Sequence, residues 1–458
     1  MIGMLLDCLK ALRPAFSRQA AYRWFVITLV GFFLRDDSWG VSSVVRAMAL
    51  TPGAYPCLLN FFHSSAWDAQ KLMEIWRGWL LSLRLERRIN GRIVLIGDHT
   101  KTPKDGRKIP GVETMHQESE TASKPSYFRG HHWGLLALWT HGGQRDFATP
   151  VWAEIHPRDS QESRATRMVV AAAAIAKDLG QQAYLTLDAF FAAGPVFLTG
   201  ARGGLHILTR AKINTTAYEP APAPVKPRRG RKRLYGKKIK LYGLFDAQDA
   251  PFQTVRATVY GTAQEARILT LDLLWKPAKA TLRFILIEST HGRIVLMTSD
   301  LTLAATDALE MYCARTRIET LFNSIKNLMG GMAYHFWSSY LPKSSRRPLR
   351  NQTDEPVSTR PDKTRNTLQA IAKFFAVQMI ALGLLQVLAC RCGEQIHRIA
   401  RCWMRTPCGK TPSESYARAA VINLWNEFTT DSVDNEITRI IRAKQNRAKT
   451  PRLFQKAA

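Results

Sequence analysis

Acidic residues are scarce in this chain. Its 458 residues carry 36 Asp and Glu against 65 Lys and Arg, a formal charge of +29. Such an excess says little about fold, but it calls for a polyanionic partner. Nucleic acid fits best, and an anionic membrane is the rival. Long apolar runs are also lacking: no clean run reaches the ~18 residues that a spanning helix needs. "WFVITLVGFFL" at 24–34 is short and flanked by charge, and "FFAVQMIALGLLQVLAC" at 374–390 carries two glutamines. Both are expected to be buried helices, with no membrane as partner. Cysteine is sparse and odd in number, seven in all, with four of them late in the chain. That suits a reducing cytoplasm better than a disulfide framework. Asp7 and Lys10 interrupt the apolar N-terminus, so no secretory signal is expected. No glycine loop of the phosphate-cradling kind occurs, so ATP is not implied. The late cysteines Cys390, Cys392, Cys402 and Cys408 lack the C-x2–4-C pairing of zinc sites. On a helix, C-x-C turns its thiols about 200° apart, so buried thiols are expected instead.

The hydrophobic share, 46%, is that of a globular protein, and the length allows two or three domains. Residues 1–88 read as short helices with tight breaks at "DDSWG" and "TPGAYP". That pattern suits a helix-turn-helix reader of DNA ends or a plain helical bundle. At 91 the pattern changes to "GRIVLIGDHT", a buried strand ending in Asp98, followed by a polar loop from 101 to 134. "LLALWT" and "ATPVWAEI" read as further strands, "RATRMVVAAAAIAKDLG" as a helix stopped by glycine, and "QAYLTLDAFF" as a strand with Asp188 near its end. Residues 201–304 are β-rich. A helix follows, then a polar loop at 341–366, a long apolar helix, and a basic helical tail at 401–458.

The helix at 311–327, "MYCARTRIETLFNSIKN", aligns Tyr312, Arg315, Glu319 and Lys326. At about 100° per residue these four project within roughly 60° of one another. A solvated face with an Arg315–Glu319 pair is one explanation. The other is an active-site face, where the carboxylate works and the cations grip a phosphate backbone. Asp98 and Asp188 stand at the ends of separate strands, and strand ends are where sites gather. Three carboxylates from three elements of a basic protein suit a pair of Mg²⁺ ions, which take oxygen ligands and complete their shell with substrate phosphate.

These residues resemble the DDE triad of cut-and-paste DNA transposases. Tyr312, two residues, Arg315, three residues, Glu319, six residues and Lys326 match the Y-(2)-R-(3)-E-(6)-K signature of the insertion-sequence-4 group in every letter and gap. The resemblance implies an α/β fold: an RNase H-like catalytic core (89–200 and 305–400) interrupted by the β-rich insertion 201–304, between helical N-terminal and C-terminal regions. It implies a DNA transposase with Asp98, Asp188 and Glu319 as catalytic metal ligands for Mg²⁺, or Mn²⁺ as a substitute. Water would cut at each transposon end, and the freed 3′-hydroxyl would attack the opposite strand or target DNA. Arg315 and Lys326 would grip phosphates, and Tyr312 would hydrogen-bond or stack near a distorted nucleotide. Implied partners are double-stranded DNA, as terminal inverted repeats and target, and a second copy of the chain in a synaptic homodimer. The implied location is the bacterial cytoplasm, at the nucleoid.

Two features lie in the insertion. The stretch 226–240, "KPRRGRKRLYGKKIK", holds nine Lys or Arg and no acid. Arg228, Arg229, Arg231, Lys232 and Arg233 are expected to clamp phosphates; "RRGRK" resembles an AT-hook except that Lys232 stands where the hook has proline. Trp275 is a candidate, by location, to stack a flipped base, with a core position as the plain alternative. Two other function classes stay open: an inactive DNA-binding protein derived from a transposase, and a metal-dependent nuclease on the same core.

Overall fold

The computed structural model describes residues 1–38, 40–117, 126–156, 162–222, 233–344, 358–400, 409, 411–430 and 434–445. Five helices come first: α1 (Ile2–Leu12), α2 (Gln19–Leu34), α3 (Val41–Ala47), α4 (Ala54–His63) and α5 (Ala69–Ser82). Next are β1 (Arg88–Ile89), β2 (Arg92–Pro103), β3 (Glu113–His116), β4 (Tyr127–His141), β5 (Asp146–Ile155), α6 (Arg164–Asp178), β6 (Ala183–Leu187), α7 (Gly194–Arg202) and β7 (Leu205–Arg210). Then follow β8 (Thr216–Pro220), β9 (Tyr235–Lys240), β10 (Gln253–Val259), β11 (Thr262–Trp275), β12 (Ala280–Ser289) and β13 (Gly292–Thr298). The chain continues in α8 (Ala305–Arg315), α9 (Arg317–Asn323), α10 (Pro361–Arg391), α11 (Gly393–Ala400), α12 (Glu414–Thr430) and α13 (Glu436–Arg442).

All described strands join one sheet, ordered β3-β4-β2-β6-β7-β13-β12-β11-β8-β9, with β5 on β4, β10 on β11 and β1 on β2. In its first half β2, β4 and β5 are antiparallel, while β6 and β7 run parallel to β2. Helices α6 and α7 make the parallel crossovers, as parallel strands require. This mixed α/β arrangement agrees with the RNase H-like core that the resemblance implies. The antiparallel strands of the β-rich region continue the same sheet, because β13 pairs with β7. Ile93 to Ile96 of β2 are wholly buried, as expected for an apolar strand covered on both faces.

Three local readings change. β2 does not end at Asp98: its pairing with β4 runs on to Pro103, so part of the expected loop is strand, and β3 and the start of β4 lie within the rest. Gly130 permits this continuation, because a Cβ there would lie 2.1 Å from the Thr102 carbonyl oxygen. The strand signal was hidden because this extension is polar and pairs at the sheet's rim. The 311–327 helix is not continuous either: Thr316 separates α8 from α9, and Ser324–Leu328 widen into a π-turn. Lastly, the β-rich character of 201–304 is interrupted after Lys240, where Leu241–Asp246 form 3₁₀ turns.

The helix α10 is the one described helix long and apolar enough to cross a membrane, with 94% of its most apolar window buried inside the protein. It packs against α2, α4, α5, α12 and β5. Two of its polar residues find partners there: Lys373 donates to the Ser64 carbonyl, and the Gln386 amide nitrogen donates to the Ala148 carbonyl and to Glu414. Such pairing offsets the cost of burying them.

Candidate active site

The parallel register of β2 and β6 aligns the two aspartates. Ile93 pairs with Ala183 and Ile96 with Thr186, so continuing the register two residues sets Asp98 beside Asp188 on the same face. There β6 stops while β2 continues, and a cleft opens along the freed edge of β2. Asp98, His99, Thr100, Lys101, Gln117, Phe128, His132, Asp188, Phe190 and Lys326 are among its lining residues. Asp188 caps the turn Ala189–Phe191, accepting from the Phe190 amide at 3.0 Å.

The helix pair α8 and α9 supplies the third carboxylate. Arg315, at the end of α8, donates to Asp98 Oδ2 at 3.4 Å and to Glu319 Oε1 at 3.4 Å. It therefore stands between the first and third acids. The Glu319 side chain is 66% exposed, whereas that of Arg315 is 12% exposed. Lys326, carried by the π-turn, reaches β2 two residues beyond Asp98 on the same face, where Nζ donates to Thr100 Oγ1 at 2.7 Å and to the Lys101 carbonyl at 3.2 Å. Burial lowers its pKa.

Asp98 reports the crowding. Burial, then the charge of Asp188, push its carboxyl from 3.8 up to about 7, and Glu319 adds to the rise. The His99 amide and Arg315 pull it back down. A desolvated carboxylate facing two others, with a guanidinium lodged among them, is a donor set that fits a divalent cation of oxygen preference.

The structure thus brings together Asp98, Asp188, Glu319, Arg315 and Lys326. Tyr312 joins them differently from expectation. It is 6% exposed, and the Arg315 guanidinium lies 5.5 Å from its ring centroid, so its ring supports the arginine. Trp275 takes the core position given as its plain alternative. It is 5% exposed and packs edge-on to Phe197 at 5.5 Å, an inward position of β11 covered by α7. Arg233 is exposed and bonds the Tyr235 carbonyl at the start of β9, seven places from β2 in the sheet order. Arg228, Arg229, Arg231 and Lys232 lie outside the described residues, as do Cys402 and Cys408; Cys390 and Cys392 are partly buried free thiols.

Sequence reasoning missed Phe190, a large apolar side chain left 63% exposed beside Asp188 in the cleft. The aromatic doublet directly after the acid, "DAFF", was the available signal. Taken singly, His99 next to Asp98 and His132 before a Trp read as structural or supporting residues, and nothing in the sequence marks His156. His99, His132 and His156 crowd together on the α6 side of the sheet, where burial, mutual charge and the nearby Arg164 lower their pKa values to about 4, 2 and 3.

No curated protein matches the chain in sequence. A family model described as DDE superfamily endonuclease matches residues 11–270. The matched span includes Asp98 and Asp188 and ends before the Glu319 helix, so the third carboxylate rests on the geometry above. The family's chemistry is nuclease- or transposase-like, with DNA as substrate and divalent metals as its usual cofactors. With more than half of its length matched, the chain belongs to the DDE superfamily endonucleases.

Proposed function

We propose that this protein is a cut-and-paste DNA transposase of the insertion-sequence-4 group. It cleaves at transposon ends and transfers the freed 3′-ends into target DNA. The observation that carries the reading is the position of Arg315, 3.4 Å from both Asp98 and Glu319, with Asp188 aligned beside Asp98 by strand register. Asp98, Asp188 and Glu319 would hold a pair of Mg²⁺ ions, with Mn²⁺ as a substitute; such ions activate an attacking oxygen and stabilise a leaving one.

The chain's own residues then divide the remaining work. Arg315 and Lys326 are fixed cations beside the acids, placed to hold the phosphates flanking the scissile bond and to offset charge that develops there. Phe190 offers a face on which an unpaired base can stack at the cleft. Hydrolysis breaks one phosphorus–oxygen bond, leaving a 3′-hydroxyl and a 5′-phosphate. In strand transfer that hydroxyl attacks a target phosphodiester, one bond forming as another breaks. Double-stranded terminal repeats and target DNA are the partners, and two chains synapse two ends in the bacterial cytoplasm. The high positive charge suits that load of DNA. A second reading, a metal-dependent nuclease that does not join ends, is favoured by the family description, which names endonuclease chemistry alone.

The test is strand cleavage of a labelled duplex carrying the element's ends and flanking DNA, with Mg²⁺ or with EDTA. Wild type should cut at the element boundary only with metal, and Glu319→Gln should lose at least about 100-fold in rate. Joined products establish transposition; cuts without joining establish the nuclease. Equal cutting by Glu319→Gln would remove Glu319 from the site. Binding of the ends without cutting by either protein would indicate an inactive derivative.

A further inference from the structure

We infer a second metal site, distinct from the carboxylates: His99, His132 and His156 form a three-imidazole site for a first-row transition ion of the Zn²⁺ class. The three residues come from three neighbouring strands. His99 is on β2 opposite Gly134 of β4, His132 lies two residues before Gly134, and the His156 amide bonds the His132 carbonyl just past the end of β5. Side chains alternate along strands, so His99 and His132 share one face. Ring centroids of His99 lie 4.8 Å from His132 and 5.2 Å from His156. One ring nitrogen from each lies within 4.8 Å of the others.

Three observations point to a ligand there. First, His99 Nε2, His132 Nδ1 and both ring nitrogens of His156 are buried without a hydrogen-bond partner. His156 is 0% exposed, and two unsatisfied nitrogens on a wholly buried ring are costly unless something binds them. Second, the fold reserves space for that ring: a Cβ on Gly134 would lie 2.4 Å from His156 Cε1. Third, the local charge can accept a cation. Of the two nearby arginines, Arg164 is paired with Glu113 and Arg167 with Glu154.

Imidazole nitrogens favour Zn²⁺, Co²⁺ or Ni²⁺, whereas Mg²⁺ prefers the oxygens of the neighbouring site. Metal–nitrogen bonds of about 2.0–2.1 Å put tetrahedral donors about 3.3 Å apart, so the rings close in slightly on binding. Three ligands leave a fourth position, and His99 and His132 line the cleft from which an ion or water reaches it. The ion would tie together β2, β4 and the end of β5 immediately behind Asp98, fixing the strand that carries the first acid. His99 points to the α6 side while Asp98 meets α8, so the two sites stand back to back on β2.

The test uses full-length protein stripped with EDTA and desalted, then titrated with Co²⁺. Visible d–d absorption reports the geometry, and metal content after a second desalting reports the stoichiometry. Wild type and the double variant Asp98→Asn/Glu319→Gln should each retain about one Co²⁺ per chain with tetrahedral absorption. His132→Asn should bind at least about 100-fold more weakly. His99→Gln, at the more accessible cleft side, provides the same comparison if His132→Asn lacks the wild-type circular dichroism spectrum. No retained Co²⁺ in wild type overturns the site. Retention by a folded histidine variant, or loss in the carboxylate variant, places the ion elsewhere and overturns it as well.

Discussion

Replacing Asp98 by Asn should stabilise the metal-free protein while abolishing its cleavage. The Asp98 side chain is 20% exposed, and its carboxyl is raised from 3.8 to about 7, first by burial and then by Asp188. A raised folded-state value means that the folded chain holds this proton more tightly than the unfolded one. The associated stability is fully present below about pH 4 and is lost as pH rises through about 7. Relative to low pH, the folded state therefore loses up to about 4 kcal/mol by pH 8, and about 2 kcal/mol by pH 5, where the unfolded carboxyl is ionised while the folded one still holds its proton. Asn is neutral throughout and nearly the same size. Urea unfolding in EDTA should thus find Asp98→Asn more stable than wild type at pH 8, with about half the advantage at pH 5 and almost none at pH 3.5. Mg²⁺ should narrow the gap at pH 8, because it neutralises the wild-type acids and has one ligand fewer in the variant. Equal unfolding midpoints at pH 8 would show that Asp98 is not crowded by its neighbours. A gap unchanged between pH 8 and pH 5 would show that its cause is packing and not charge.

Three further substitutions separate roles within the site. Arg315→Ala leaves Asp98 and Glu319 without their shared cation and should lower the cleavage rate about 100-fold in single-turnover assays, with a smaller loss in gel-shift binding of the ends. Trp275→Ala opens a cavity beside Phe197 and should destabilise the chain by about 3–5 kcal/mol in urea unfolding. Cleavage per folded molecule should be unchanged; a specific loss of cleavage with normal stability would restore the flipped-base role. Phe190→Ala, at an exposed position, should change stability by less than about 0.5 kcal/mol. It should weaken binding of single-stranded or distorted ends by about 1–3 kcal/mol, measured by fluorescence anisotropy, and unchanged binding would exclude the stacking role.

The parts of this site that were legible in the sequence are those set by short-range spacing. Asp188 follows five buried residues, Ala183 to Leu187, and a short apolar run ending in an acid reads directly as a strand end. Arg315 and Glu319 are four residues apart, and they meet in space despite the break at Thr316. What could not be read depends on contacts distant in sequence. Asp98 lies inside a strand, not at its end, because the partner that prolongs β2 is β4, beginning some way along the chain. The burial of Trp275 depends on α7, whose Phe197 lies far from it in sequence. The histidine cluster combines positions 99, 132 and 156, with no spacing between them that a motif could register. Nothing local distinguishes these residues from ordinary strand residues; the sheet's register makes them neighbours.

Arg315 gives the segment 311–327 a physical logic that a simple polar stripe lacks. Charge-assisted hydrogen bonds from a guanidinium to a carboxylate are short, about 2.7–2.9 Å. Both of Arg315's contacts are 3.4 Å, so it screens Asp98 and Glu319 without being locked to either. Its position is held instead from beneath, by the buried ring of Tyr312 at 5.5 Å. Were Asp98 and Glu319 to hold a divalent cation, which would screen their charge, the guanidinium would give up only weak bonds and would be free to face a phosphate while remaining over the same ring. Lys326 is fixed in a different way, by two contacts to β2 just past Asp98. Phenol, guanidinium, carboxylate and ammonium therefore have unequal freedom: Tyr312 and Lys326 are anchors, Glu319 is exposed, and Arg315 is the group poised to exchange partners. The four groups keep these contacts across a helix break and a π-turn, because each depends on its reach to β2 or to Arg315 and not on a straight line along one helix.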